Sequence, residues 1–259
     1  MKIATWNING VKARLDAATL WLEEASPDIA CLQEIKSVDE AFPAEAFERL
    51  GYNVTTHGQK GFNGVAILSK RPLEDPVRGL DGAPDDVQAR YLEGVVSTDE
   101  GVVRVASIYL PNGNPVESEK FAYKLAWAER LIARAGELLA NEEPVVLAGD
   151  YNVIPEPIDA KKPEAWTNDA LFQPESRAFY RRLQAMGYLD AVRATTDEAV
   201  YTFWDYQAGA WQKDNGIRID HLLLSPQAAD RLETVEIAKD VRGRDKPSDH
   251  VPVIATLAV

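Results

Sequence analysis

Asp150 and Asn152 close the apolar run Val145 to Ala148, and Asp249 with His250 stands just before another, Val251 to Leu257. A carboxylate, a carboxamide and a carboxylate–imidazole pair at strand edges are costly to order and bring a core nothing. Such groups mark the rim of a site set on a rigid sheet. Four further places put the same kind of chemistry beside a strand: Asn7 to Gly10, Gln33–Glu34, Tyr109 to Asn112, and Asp220. Oxygen ligands with few thiols and one candidate imidazole favour magnesium or manganese over zinc. If the six places converge, they suit metal-assisted attack of water on a phosphodiester.

Each motif alone has an ordinary alternative. Asn7 and Asn9 fit a turn before a helix, Glu34 a solvated strand end, Tyr109 a core phenol, Ser248–Asp249 turn chemistry, and His250 a structural histidine. Asp150 and Asn152 flank Tyr151, so they share one side of an extended segment, which no turn requires. The weight lies in the set.

The elements that must position these groups are legible in outline. Strand-like runs recur at 2–6, 28–33, 63–68, 91–96, 102–110, 144–149, 218–225 and 251–258, most of them bounded by Gly, Pro, Asn or Asp. Val11, Leu15, Ala18 and Leu22 share one face of a first helix that stops before Pro27. Phe121 to Leu139 carries a longer helical period, and a third helix follows Pro174 and stops at Gly187. The irregular stretch 153–174 holds four prolines, and a loop of that length is more often functional than connective. These signs predict one α/β domain over 1–259: two packed mixed β-sheets with helices on the outer faces.

At 259 residues and 46% hydrophobic content the chain can bury a sizeable core, and it has no stretch of membrane-spanning length. The strand-like Ile3 to Trp6 follows Met1–Lys2 at once, so no signal peptide is expected. With the lone Cys31, this fits a cytoplasmic compartment. The net charge of −13 argues against nonspecific attraction to nucleic acid. Basic residues nevertheless gather near candidate loops: Lys12 and Arg14, Lys36, Lys161 and Lys162, Arg218, then Arg242, Arg244 and Lys246. There is no dinucleotide fingerprint, Walker loop or nucleophile elbow.

In order, Thr5 to Gly10, Leu32 to Lys36, Gly64 to Ser69, Tyr109 to Gly113, Gly149 to Asn152, Arg218 to Asp220 and Ser248 to His250 resemble the exonuclease III family. Leu171 to Arg177 is similar to the DNA-repair branch of that family. The resemblance implies a four-layered α/β sandwich that cuts DNA 5′ of abasic sites, trims 3′ ends of duplex DNA and clears blocked 3′ termini. It implies a Mg²⁺ or Mn²⁺ ion bound by Glu34, with Asn7, Asp150, Asn152, Asp249 and His250 as further candidate ligands. Tyr109, Asp150, Asn152, Asp220 and His250 would carry catalysis. Asn112, Phe203, Trp204, Arg218 and Ile219 would bind substrate, with Arg90 and Lys124 as looser phosphate contacts. Duplex DNA is the implied partner, with a monomer expected. Asn9 departs from the pattern, standing where some members carry aspartate, and Trp211 in the 205–216 segment has no secure counterpart.

Two competing classes remain open at this level: a phosphodiesterase or phosphatase of the same superfamily acting on a lipid head group or small phosphoester, and a binding protein that has lost catalysis. The Leu110-Pro111-Asn112 and Arg218-Ile219-Asp220 motifs weigh against the first. The complete reactive set weighs against the second.

Overall fold

A computed structural model describes residues 1–259. The first sheet takes β1 (Lys2–Asn7), β2 (Ile29–Gln33), β3 (Asn53–His57) and β4 (Val65–Ser69) from the N-terminal half, then β11 (Leu232–Ile237) and β12 (Val253–Leu257) from the C-terminal end. The second is built from β5 (Leu73–Arg78), β6 (Tyr91–Thr98), β7 (Gly101–Tyr109), β8 (Val145–Asp150), β9 (Leu189–Asp190) and β10 (Asp220–Leu224). The strand orders are β11-β12-β1-β2-β4-β3 and β5-β6-β7-β8-β10-β9. Only β1–β2 and β7–β8 pair in parallel. A parallel pair needs a crossover; α1 (Leu15–Ala25) supplies the first and α3 (Glu119–Leu139) the second. The halves thus repeat one plan, with β1-β2-β4-β3 answered by β7-β8-β10-β9.

Alternation along the strands sets the layers. Ile3, Ile29, Cys31, Val65 and Ile67 face Leu92, Val105, Val146, Ala148 and Leu222 in a core between the sheets. The intervening residues Ala4, Trp6, Ala30 and Leu32 face outward onto Trp21 and Leu22 of α1. On the other side Ala106, Ile108 and Leu147 meet Trp127 and Leu131 of α3 and Phe179 and Leu183 of α4 (Pro174–Ala185). The result is the four-layered α/β sandwich the sequence predicts. Fully burying each large apolar side chain stabilises by about 1.5–3 kcal/mol.

Four strands escaped the sequence reading: β3, β5, β9 and β11. All lie at sheet edges, where one flank and part of a face meet water and the apolar signal fades; β5, for instance, is almost wholly exposed and contains Pro76. Also unexpected were the short α2 (Ala44–Glu48), α5 (Ala191–Thr195) and α6 (Pro226–Ala229). No helix is long and apolar enough to cross a membrane.

Candidate active site

Strand register lines up the chemistry. In the second sheet Tyr109 on β7 is the partner of Asp150 on β8, which is the partner of Asp220 on β10. Three functional side chains therefore sit in one row across three strand ends. In the first sheet Asn7 ends β1 opposite Gln33, with Glu34 next along the chain, and His250 lies just ahead of β12. Between the rows opens a cavity of about 340 Å³ whose walls include Glu34, Tyr109, Asn112, Asp150, Asp249 and His250. Beneath it Gln33 stitches the sheets, accepting from Thr5 Oγ1 (3.2 Å) and donating to Ser107 Oγ (3.0 Å).

Asn7 is fully buried and its amide nitrogen donates to both Glu34 and Asp150 at 2.9 Å. His250 Nδ1 lies 2.8 and 3.0 Å from the two Asp220 oxygens, leaving Nε2 to face Asp150 at 3.8 Å. Asn9, Glu34, Lys36 and Asn152 all take left-handed backbone (φ 47°, 48°, 51° and 46°). Each such non-glycine residue costs roughly 1–2 kcal/mol.

Burial opposes a charge on His250, but the carboxylates of Asp220 and Asp150 outweigh it and push its pKa up to about 10. Burial dominates at Asp150 and, despite the pull of His250, lifts its pKa to about 7. At Glu34 burial is overcome by the Asn7 hydrogen bond and the nearby Lys36 and His250, which hold its carboxyl below the usual range. Tyr109 is held well above the ordinary phenol range by burial and the negative charge of Glu34 and Asp150, so it stays protonated and a donor. One carboxylate is thus poised as a base near neutrality while its neighbour stays ionised.

The Endonuclease/Exonuclease/phosphatase family model matches residues 4–250. The chain belongs to this family. It is similar to exodeoxyribonuclease III of Haemophilus influenzae, with 37% identity over 98% of this chain and 99% of that protein. An AP endonuclease structure from Archaeoglobus fulgidus superposes with a TM-score of 0.94 at 38% identity, covering 100% of both chains. The 3′ phosphatase NExo from Neisseria, solved with a product DNA hairpin, gives a TM-score of 0.96 at 36% identity, again over 100% of both. The chain is therefore a DNA-repair nuclease, a phosphodiester hydrolase dependent on a divalent metal.

The donor set of this endonuclease/exonuclease/phosphatase protein fits such an ion. Glu34, Asp150, Asp220 and Asp249 set four carboxylates against one imidazole and the Lys36 ammonium, which lies 3.1 Å from Glu34. That excess of negative charge is one a divalent cation matches, and oxygen donors suit a hard one. Asp150, Asp220 and His250 also bring ligand atoms within 4.8 Å of one another. Asp220 and His250 are already spent on each other, however, which fits that trio better to proton handling.

Several sequence-level assignments change. Arg218 is wholly buried and donates to Asp159 (2.7 Å) and Asp190 (2.9 and 3.1 Å), so it cannot reach a phosphate. Lys124 is equally sunk, its ammonium turned to backbone carbonyls. Trp204 is fully buried with its indole nitrogen on Asp214, and it lies in the core rather than in the cavity wall. Packing requires this, because its neighbour Phe203 already takes the cavity-facing position. Asn7 turns its oxygen to the Asn9 backbone N–H and presents its amide nitrogen to the carboxylates, so it acts as a donor. Asn152 leaves the extended path, and its N–H closes a turn on Asp150 Oδ1 (2.9 Å). Its side chain bonds Leu110 O and Asn112, keeping one amide N–H for a ligand. Of the basic cluster before His250, Arg242 is buried against Trp204 O and Arg244 pairs with Glu24 and Asp240.

Phe203 and Ile219 do line the cavity, joined by Leu171, which opens the 171–177 motif, and by Trp166 and Asp169, which the sequence reading did not single out. Their signal was the proline-rich 153–174 stretch that carries them. Trp211 packs edge-on against Trp204 at 5.1 Å, and Arg242 stacks over it. Asn9 bridges Lys36 and Asp249 through its amide.

Proposed function

We propose that the enzyme hydrolyses the phosphodiester on the 5′ side of abasic sites in duplex DNA and releases nucleotides and blocking groups from 3′ ends. The observation that carries this reading is one cavity that brings apolar and reactive groups together. Trp166, Leu171, Phe203 and Ile219 line it with Glu34, Asp150 and His250, and Phe203 packs edge-on against His250 at 4.9 Å. A sugar that has lost its base swings out of the duplex at low cost and suits the apolar groups. Its phosphate suits the reactive ones.

Mg²⁺, or Mn²⁺ in its place, would be held by Glu34 with Asp249 as a further ligand, and when bound it neutralises charge on the phosphate oxygens. Asp150 takes the proton of the attacking water. His250, kept charged by Asp220, donates Nε2–H to a nonbridging oxygen, and Tyr109 donates its hydroxyl toward the leaving oxygen. Asn152 and Asn112 hold the phosphate from the side. The chain works as one domain and as a monomer, in the cytoplasm.

A fluorescent duplex with a single abasic analogue tests the reading. One metal-dependent nick 5′ of the analogue, abolished by chelator, is the expected result. An intact duplex alongside turnover of an inositol phosphate would transfer the site to the other substrate class.

A further inference from the structure

Lys124 on α3 takes no part in the reaction as described, yet only 1% of its surface is exposed. A buried ammonium is costly unless fully paired, and this one forms no ion pair with a carboxylate. Its Nζ lies 2.6 Å from Asn152 O, 3.1 Å from Asn112 O and 3.4 Å from Ala170 O. Burial lowers its pKa to about 7, and in the ammonium form its three N–H donors meet the three carbonyls. Those carbonyls belong to three separate segments, each of which brings a residue to the cavity. Asn112 follows β7, Asn152 ends the turn that holds Asp150, and Ala170 sits between Asp169 and Leu171.

The chain makes room for this contact. Gly113 has φ +89°, and a Cβ there would stand 2.6 Å from Lys124 Cδ and 3.3 Å from Ala170 Cβ. A methionine of similar length at 124 would fill the space without burying charge, so packing alone does not call for lysine. The contacts instead suit a residue that fastens loops which strand pairing does not hold.

We propose that Lys124 is a positioning residue: its ammonium ties the loop after β7, the turn after β8 and the segment before α4 into one frame that fixes Asn112, Asp150 and Leu171 around the scissile phosphate. It acts through these groups and touches no substrate. The inference rests on the substrate reading above, and the unaltered enzyme checks that reading in the same assay. If it fails to nick the abasic duplex, the variants are compared on 3′-nucleotide release from undamaged duplex instead.

The test is Lys124→Met, read by kcat, KM and DNA affinity in chelator. Small displacements of reacting groups are expensive, so kcat should fall by about 10- to 100-fold. KM and DNA affinity should stay within about threefold, since no uniform binding is removed. Lys124→Arg, which keeps donors at that point, should recover part of the lost turnover. A folded Lys124→Met protein with kcat within about twofold of the parent overturns the proposal, as does weakened DNA binding with kcat intact, the mark of a direct phosphate contact. If Lys124→Met does not fold, Lys124→Gln decides, because its neutral side chain of similar reach keeps donors in the pocket but cannot meet all three carbonyls. A kcat loss of about fivefold or more with unchanged KM supports the frame, and a smaller one refutes it.

Discussion

Asp220 and His221 are neighbours on β10, and the two sides of that strand put the same residue types to different use. On one side Asp220 holds a single nitrogen of His250, and the other nitrogen faces Asp150 across the cavity. On the other side both nitrogens of His221 are engaged. Nδ1 accepts from Arg218 at 3.1 Å and Nε2 donates to Val153 O at 3.0 Å, between the rings of Tyr151 and Tyr180. Burial and the Arg218 guanidinium pull His221 down to about 4, whereas His250 is pushed up to about 10. An imidazole beside carboxylates is free to act on a ligand where one nitrogen has no hydrogen-bond partner and space lies in front of it. Where both are satisfied it is a strut.

The comparison can be broken from either side. Asp150→Asn removes the base and should lower kcat about a thousandfold, close to 4 kcal/mol, without lowering the melting temperature. Single-turnover nicking measures it, and a loss below about tenfold takes Asp150 out of the proton-transfer role. Arg218→Met removes the guanidinium shared by Asp159 and Asp190, both 2% exposed or less, leaving Asp159 to Arg193 and Asp190 to Tyr180 and backbone N–H groups. Breaking a buried pair in this way costs about 3–5 kcal/mol, which urea unfolding should report. An unchanged midpoint would mean that this cluster is no strut.

Asp220→Asn should lower kcat about a hundredfold. Since Asp220 and His250 are both buried, it should also lower stability, though by less than Arg218→Met because the isosteric amide still bonds His250. A stability loss equal to that of Arg218→Met would erase the distinction between the two sides of β10. The last effect is on pH. His221 stays neutral in the fold down to about 4, while the unfolded chain takes up the proton near 6.5. Stability should therefore fall as pH drops through that window, by at most about 1.4 kcal/mol per pH unit from this group. His221→Gln should flatten that slope, and an identical slope in both proteins would place the titration elsewhere.

The interior strands were legible because alternation and apolar runs mark them, and the two long crossover helices because their period is strong. Glu34, Asp150, Asp220 and His250 were legible as types that no core needs. The edge strands were not, since half their environment is water. Nor was the assignment of Arg218, Lys124 and Trp204. A cation or an indole beside a motif reads the same whether it faces solvent or the interior.

The amino-acid order alone marked which groups could do chemistry and which strands would be buried, because residue type and local period carry that information. Tertiary packing alone decided which side of β10 each residue serves, which lysine is enclosed and which loop completes the cavity. Those outcomes depend on register and on contacts between residues more than forty positions apart, such as Lys124 with Ala170 and Arg218 with Asp159.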